Sequence, residues 1–304
     1  LSYKSMDLSL DALNMTLLLS LAFIFGMNNT GVVIGPLLVS RLNYRSAQVV
    51  TALGFIIGLL LEGYKLSYPI ILNEVEVTRS IILGVTSITL LLSSILGMPV
   101  SMVNILFANY IAIEGSDTTY LIIIAWVVLP TLAFFTSMPI YRVIVRITST
   151  LSLIGVIRFY VVALYIASFY TAYSIGSNNL GLLYSIGYSM DLYANYTMIL
   201  LLAAFILGLF SGSRVSVYVS EGMVGLTPAR ILASIFNSSV ILWISTQMHI
   251  PLSFIHILIS SMLGSGMSVR PSIYNRRGVI ILLIAWIILT IFSFLVTLLL
   301  SLMV

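Results

Sequence analysis

Apolar residues run in long blocks along this chain, and polar residues punctuate them. The blocks at 15–25, 49–61, 81–96, 121–135, 198–210, 231–244 and 279–300 hold almost no charge. Several approach the ~20 residues that a helix needs to cross about 30 Å of hydrocarbon. That layer contains no water, so backbone N–H and C=O groups must pair within each segment, which predicts helices. A membrane β-barrel would instead show short segments of alternating polarity. The pattern predicts an all-α, polytopic membrane protein.

Composition has the same origin. Apolar residues make up 60% of the 304 residues and charged residues 7%, with a mean hydropathy of +1.16. A soluble domain carries about 25% charged residues, because its surface faces water. The absence of cysteine excludes disulfides, thiolate metal sites and redox thiols. Two histidines and scattered carboxylates form no zinc-protease, P-loop or dinucleotide motif, so the chain does not read as an enzyme, and no metal or cofactor is expected. The net charge of +4 is too small and dispersed for a nucleic-acid footprint. The first apolar stretch lacks a small-residue cleavage site and reads as a helix, not a signal peptide.

The chain also repeats itself. Gly26-Met-Asn28-Asn29-Thr-Gly31 returns as Gly176-Ser-Asn178-Asn179-Leu-Gly181, 150 positions later. Gly97-Met-Pro99-Val-Ser101-Met-Val-Asn104 returns as His249-Ile-Pro251-Leu-Ser253-Phe-Ile-His256, at an offset of 152. The stretch 122–129 (IIIAWVVL) returns as 282–289 (LLIAWIIL), at an offset of 160. Two membrane repeats are therefore expected, 1–146 and 147–304.

Loop charges suggest how the halves are oriented. Loop 41–45 carries two positive charges, and its counterpart near Asp191 a negative one. Segment 62–79 sums to −1 and its counterpart 214–230 to +1; segment 114–117 sums to −2 and its counterpart 270–277 to +3. Lys and Arg are retained on the cytoplasmic side, so equivalent loops are expected on opposite faces, as in the inverted repeats of many secondary transporters. Placing 41–45, 142–146, 214–230 and 270–277 inside collects 9 of the 13 basic residues there and puts both termini outside. The path closes if 80–113 and its counterpart each enter and leave on one side. Pro99 and Pro251 interrupt these excursions, since proline breaks a helix, and two re-entrant hairpins are expected.

Two kinds of polar interruption could carry chemistry. The paired amides Asn28-Asn29 and Asn178-Asn179 would cost several kcal/mol each if left unpaired in an apolar setting. They must meet freed backbone groups or a solute; the alternative is that they only cap half-helices. At the hairpin tips, a helix that starts after a proline offers free N–H groups and a positive dipole end to an anion. Ser101 and Ser253 add hydroxyls, with Asn104 and His256 one turn further on. Glu221 is a candidate coupling-ion site or an ion-pair partner of Arg214. Arg158 lies within a membrane segment and is expected to snorkel to the interface. Asn195-Tyr-Thr197 is a glycan acceptor triplet in an outside loop.

These landmarks resemble the inorganic phosphate transporter (PiT) family. That family carries Gly-Ala-Asn-Asp in both halves and Gly-Leu-Pro-Val-Ser-Thr-Thr-His at its hairpins. Gly212-Ser-Arg214, Glu221-Gly222 and Leu226-Thr-Pro228 are similar to further family stretches, so the likeness covers nearly the whole chain. The resemblance implies substrate contacts from Asn28, Asn29, Ser101, Asn104, Asn178, Asn179, Ser253 and His256. It implies coupling-ion candidates among Asn29, Asn179, Glu221 and His256. The chain departs from the family where it matters for mechanism. The family's Asp is Asn29 and Asn179 here, and its Thr-Thr pair is Met102-Val103 and Phe254-Ile255. Losing both carboxylates removes the hard oxygen ligands that sodium prefers.

The resulting expectation is a multi-pass protein of the cell membrane. It would carry inorganic phosphate or a related oxyanion by alternating access, with a proton or sodium as coupling ion. A homodimer or a larger membrane complex would be its protein context. The alternative is a transport-inactive structural subunit of a membrane complex, because seven polar positions of the motifs are replaced.

Overall fold

The computed structural model describes residues 2–39, 43–66, 76–96, 98, 100–114, 120–190, 196–212, 227–267 and 276–303. All regular structure among them is helical. The first half contains α1 (Ser2–Val39), α2 (Tyr44–Glu62), α3 (Glu76–Ile95), α4 (Met102–Glu114) and α5 (Tyr120–Thr148). A 3₁₀ turn, Gly63–Leu66, extends α2. The second half contains α6 (Leu153–Ile175), α7 (Gly181–Tyr188), α8 (Thr197–Ser211), α9 (Pro228–Gln247), α10 (Phe254–Met267) and α11 (Arg276–Ser301). A π-helical turn, Gly176–Leu180, joins α6 to α7.

Among the described residues seven helical stretches are long and apolar enough to cross a membrane, and the protein is a multi-pass membrane protein. α1 and α9 are mostly enclosed, whereas α5, α6 and α11 turn wide apolar faces outward. Leu121, Val127, Val162, Ile284 and Ile287 are exposed on those faces. In water such a surface would drive association; in lipid it is the solvated surface.

The packing pairs come in matched sets. α1 lies against α8 and α3, while α6, its counterpart in the repeat, lies against α2 and α9. α5 crosses to pack on α9 and α10 of the other half, and α11 crosses to pack on α3 and α4. The halves are thus interlaced, each completed by the last helix of the other. Two pairs of close approaches between them obey the same rule. Gly208 sits against the Phe23 carbonyl, and 150 positions earlier Gly58 sits against the Tyr173 carbonyl. Gly26 meets Phe205, and Gly176 meets Phe55. A side chain at any of the four would run into backbone, so hydrogen is the substituent that lets these helices touch.

Two helical hairpins dominate the interior. α3 and α4 run antiparallel, with Asn109 Nδ2 donating to Thr86 Oγ1 at 2.9 Å. α9 and α10 do the same, with Ser238 Oγ donating to Ser261 Oγ at 3.1 Å and Asn237 Nδ2 to the same oxygen at 2.9 Å. α4 has 13 residues and α10 has 14, which is a rise of about 20 Å. Neither is long enough to cross about 30 Å of hydrocarbon.

The first amide pair does not interrupt its helix: α1 runs continuously through Gly26–Asn29. Asn29 Nδ2 donates to the Phe25 carbonyl at 3.0 Å within the same helix, and Asn28 finds partners on α3. In the second half the helix loosens into the π turn that contains Asn178 and Asn179.

Candidate functional site

The site is built where the two hairpin tips meet the two amide pairs. Each tip is capped by its serine. Ser101 Oγ accepts from Asn104 N at 3.2 Å and donates to Asn104 Oδ1 at 3.1 Å. Ser253 Oγ accepts from His256 N at 3.4 Å. Ile105 N and Ile257 N return to the Ser101 and Ser253 carbonyls. The first turns of α4 and α10 are therefore left with the N–H groups of Met102, Val103, Phe254 and Ile255, which have no partner within their helices. Both helix N-termini, with their partial positive charge, face one shared space.

That space is lined by Phe25, Asn29, Asn179, Ser101, Ser253 and the four first-turn residues Met102, Val103, Phe254 and Ile255, together with Val100. Among the described residues no lining side chain carries a formal charge. Its volume, about 10 Å³, is roughly what one water needs. The tips touch directly. Asn104 Nδ2 lies 3.2 Å from His256 Nδ1, and an amide NH₂ can only donate, so Nδ1 is the acceptor. The His256 ring packs edge-on against Trp286 at 4.1 Å between centroids. Trp126 Nε1 donates to the Pro251 carbonyl at 3.4 Å.

Of the residues singled out in the sequence, Asn29, Asn179, Ser101 and Ser253 line the common space. Asn104 and His256 bridge the tips. Asn28 and Asn178 point elsewhere and act as braces. Asn28 Nδ2 donates to Ser94 Oγ at 2.9 Å and Ser93 Oγ at 3.4 Å. Asn178 Nδ2 donates to Thr246 Oγ1 at 3.0 Å, Ser245 Oγ at 3.2 Å and the Ile250 carbonyl at 3.0 Å. Asn178 Oδ1 accepts from Leu252 N at 3.0 Å, and Asn179 Nδ2 donates to the Leu252 carbonyl at 2.9 Å. The second tip is thus strapped to its amide pair by backbone bonds. In the first half, Asn28 Oδ1 is buried with no partner among the described residues. Pro99, Glu221, Asn195 and Arg214 lie outside the described residues.

The sequence reading missed the brace partners Ser93-Ser94 and Ser245-Thr246. Their signal was present, as a polar pair recurring at the hairpin offset of 152. It also missed a polar cluster at the end of α2. There Glu62 accepts from Lys65 Nζ at 3.0 Å, Trp243 Nε1 at 3.0 Å and Gln247 Nε2 at 3.1 Å. Lys65 Nζ also donates to Gln247 Oε1 at 2.7 Å. Gly212 stands where a repeat of Glu62 would be, so nothing in the duplicated pattern pointed to this cluster.

No model of a known family matches the chain, and no curated protein matches it. A solved structure described as "The sodium-dependent phosphate transporter" is similar to it, with a TM-score of 0.81 and 16% identity. The likeness covers 95% of this chain and 97% of that one. At this identity it establishes a shared fold over essentially the full length of both chains.

Proposed function

We propose that this chain is a divergent member of the inorganic phosphate transporter family that carries phosphate or a related oxyanion across the cell membrane. The observation that carries this reading is the pair of helix N-termini facing one space, with Asn29, Asn179, Ser101 and Ser253 on its wall. Backbone N–H groups, the Ser253 hydroxyl and the second N–H of each of two amides are donors suited to oxyanion oxygens. The name of the structurally similar protein supports phosphate as the substrate.

In this reading 1–146 and 147–304 are inverted repeats, each with a re-entrant hairpin, and both termini lie outside. The exchange of packing partners between the halves and the shortness of α4 and α10 support it. Alternating access requires the tips to part, because the present space fits a water and not a tetrahedral anion. The Asn104–His256 contact is the first bond to break. Asn28 and Asn178 contribute by holding the hairpins' outer arms, not by touching substrate. A proton carried by His256 or Glu221 is the preferred coupling ion, since Asn29 and Asn179 replace the carboxylates that sodium favours. Sodium is the competing arm, supported by the name of the similar structure. Lipid, and a second copy or another membrane subunit, cover the outward apolar faces.

Uptake of labelled phosphate and sulfate into proteoliposomes tests the reading. Uptake is expected, with loss in Ser253→Ala and Asn179→Ala, and persistence when sodium is replaced by choline. Collapse in choline would transfer the coupling to sodium. No uptake of any oxyanion, with co-purification in a stable complex, would favour a transport-inactive subunit.

A further inference from the structure

Arg230 carries a charge that the proposed transport site does not use. It is the third residue of α9 (Pro228–Gln247), and only 5% of its surface is exposed. Its Nε is buried without a hydrogen-bond partner among the described residues. Among the described residues no hydrogen bond or ion pair reaches its guanidinium. Its bonds are all on the backbone: the N–H donates to Thr227 Oγ1 at 3.4 Å and the carbonyl accepts from Ser234 Oγ at 2.8 Å. A buried cation without a counter-charge is strongly unfavourable.

The position makes the imbalance worse. A helix N-terminus is already the positive end of the dipole, and the first turn of α9 holds no acidic residue. Helical side chains lean toward the N-terminus, so the guanidinium and the Ala229 N–H, which has no partner within the helix, share one edge. More positive charge lies at this end of the bundle. Asn237 of α9 bonds to α5 through the Ala133 carbonyl and Thr136 Oγ1, both at 2.9 Å. Further along α9 and past its end, the Pro251 carbonyl meets Trp126 of α5. The two helices are therefore antiparallel, and Arg230 falls level with the exposed Arg142 and Arg146. The first turn of α9 is also roughly 25 Å of helix away from the hairpin tip, so this is not the space described above.

We infer that Arg230 centres a second anion site, one that takes a phosphate-type oxyanion: free inorganic phosphate or the phosphate group of an anionic lipid. The planar guanidinium holds two oxygens of such a group in a fixed fork, the Ala229 N–H takes a third, and Arg142 and Arg146 draw the anion in. Arg79, the fourth residue of α3, is also buried with its Nε unpartnered. Its helix begins with Glu76, so the inference is confined to Arg230. It does not depend on the transport reading, because an anion can sit here in a chain that carries nothing.

The test is thermal unfolding of the full chain in phosphate-free, lipid-free maltoside micelles, with and without added ligand. Without an anion, Arg230→Gln is expected to melt higher than the native chain, because an uncompensated charge has been removed. Inorganic phosphate in one arm, or phosphatidylglycerol in the other, should raise the native melting temperature. The arm that responds identifies the source. Both chains are compared in a Ser253→Ala background, which disables the hairpin-tip space so that phosphate bound there adds nothing, and in it Arg230→Gln should need at least ten times more ligand for the same response. If Arg230→Gln does not fold, Arg230→Lys takes its place in the titration, where loss of the fork alone should weaken the response. The inference is overturned if Arg230→Gln melts lower without ligand and Glu221→Gln matches it, which would mark an internal pair. It is equally overturned if both ligands act on the variant as on the native chain.

Discussion

Replacing Asn178 by leucine should destabilise the protein far more than the equivalent change at Asn28, although both are fully buried amides of the same motif. The difference follows from what each leaves behind. Ser245 and Thr246, which Asn178 meets, already donate to the Leu242 carbonyl at 2.7 Å and 3.0 Å, so they stay satisfied. The Ile250 carbonyl and Leu252 N–H do not, because their bonds to Asn178 fix the turn into the hairpin tip. Each buried group left without a partner costs about 1–3 kcal/mol, so the loss at Asn178 should be about 2–6 kcal/mol, counting both. At Asn28 the partners Ser93 and Ser94 keep their bonds to the Leu90 carbonyl, and the unpartnered Oδ1 disappears with the amide. The net change there should be about 0–1 kcal/mol. Unfolding by increasing SDS in maltoside micelles, followed by far-UV circular dichroism, measures both values. Equal losses, or a larger loss at Asn28, would refute the idea that backbone straps distinguish the two hairpins.

Gly208→Ala should prevent close packing of α1 on α8, because its Cβ would sit inside the Phe23 carbonyl group. Gly266→Ala in α10 should be neutral or stabilising by about 0.5–1 kcal/mol, since nothing lies near the new methyl; yield and melting temperature separate the two. Glu62→Gln keeps the size of the side chain but turns an NH₂ toward Lys65, Trp243 or Gln247, all of which donate to Glu62 now. A loss of about 1–3 kcal/mol is expected, scaled down for a partly exposed group, and the same SDS titration reads it.

Much of this protein was legible before any coordinates. The apolar blocks dictate helices because lipid offers no hydrogen bonds to an open backbone. The echoes at 150, 152 and 160 marked the elements that pack as counterparts. Ser101, Ser253, Asn29 and Asn179 were readable as site candidates because polar residues in apolar runs need partners. What periodicity could not supply was the identity of those partners. Asn28 and Asn178 read the same as Asn29 and Asn179 along the chain, yet one residue of helical rotation turns them from the shared space to the hairpin arms. The braces of Asn28 were likewise invisible, since Ser93 and Ser94 arrive from 65 and 66 positions away. So was the solitary Glu62 cluster, whose members lie up to 185 positions apart.

The sequence by itself therefore determined the solvent of this protein, its helices, the recurrence of its motifs and the residue types available at the tips. Only the tertiary structure decided which of those polar groups face a common space and which are consumed as internal braces. Local pattern records what each segment needs, whereas satisfaction of a buried polar group depends on which distant segment is packed against it.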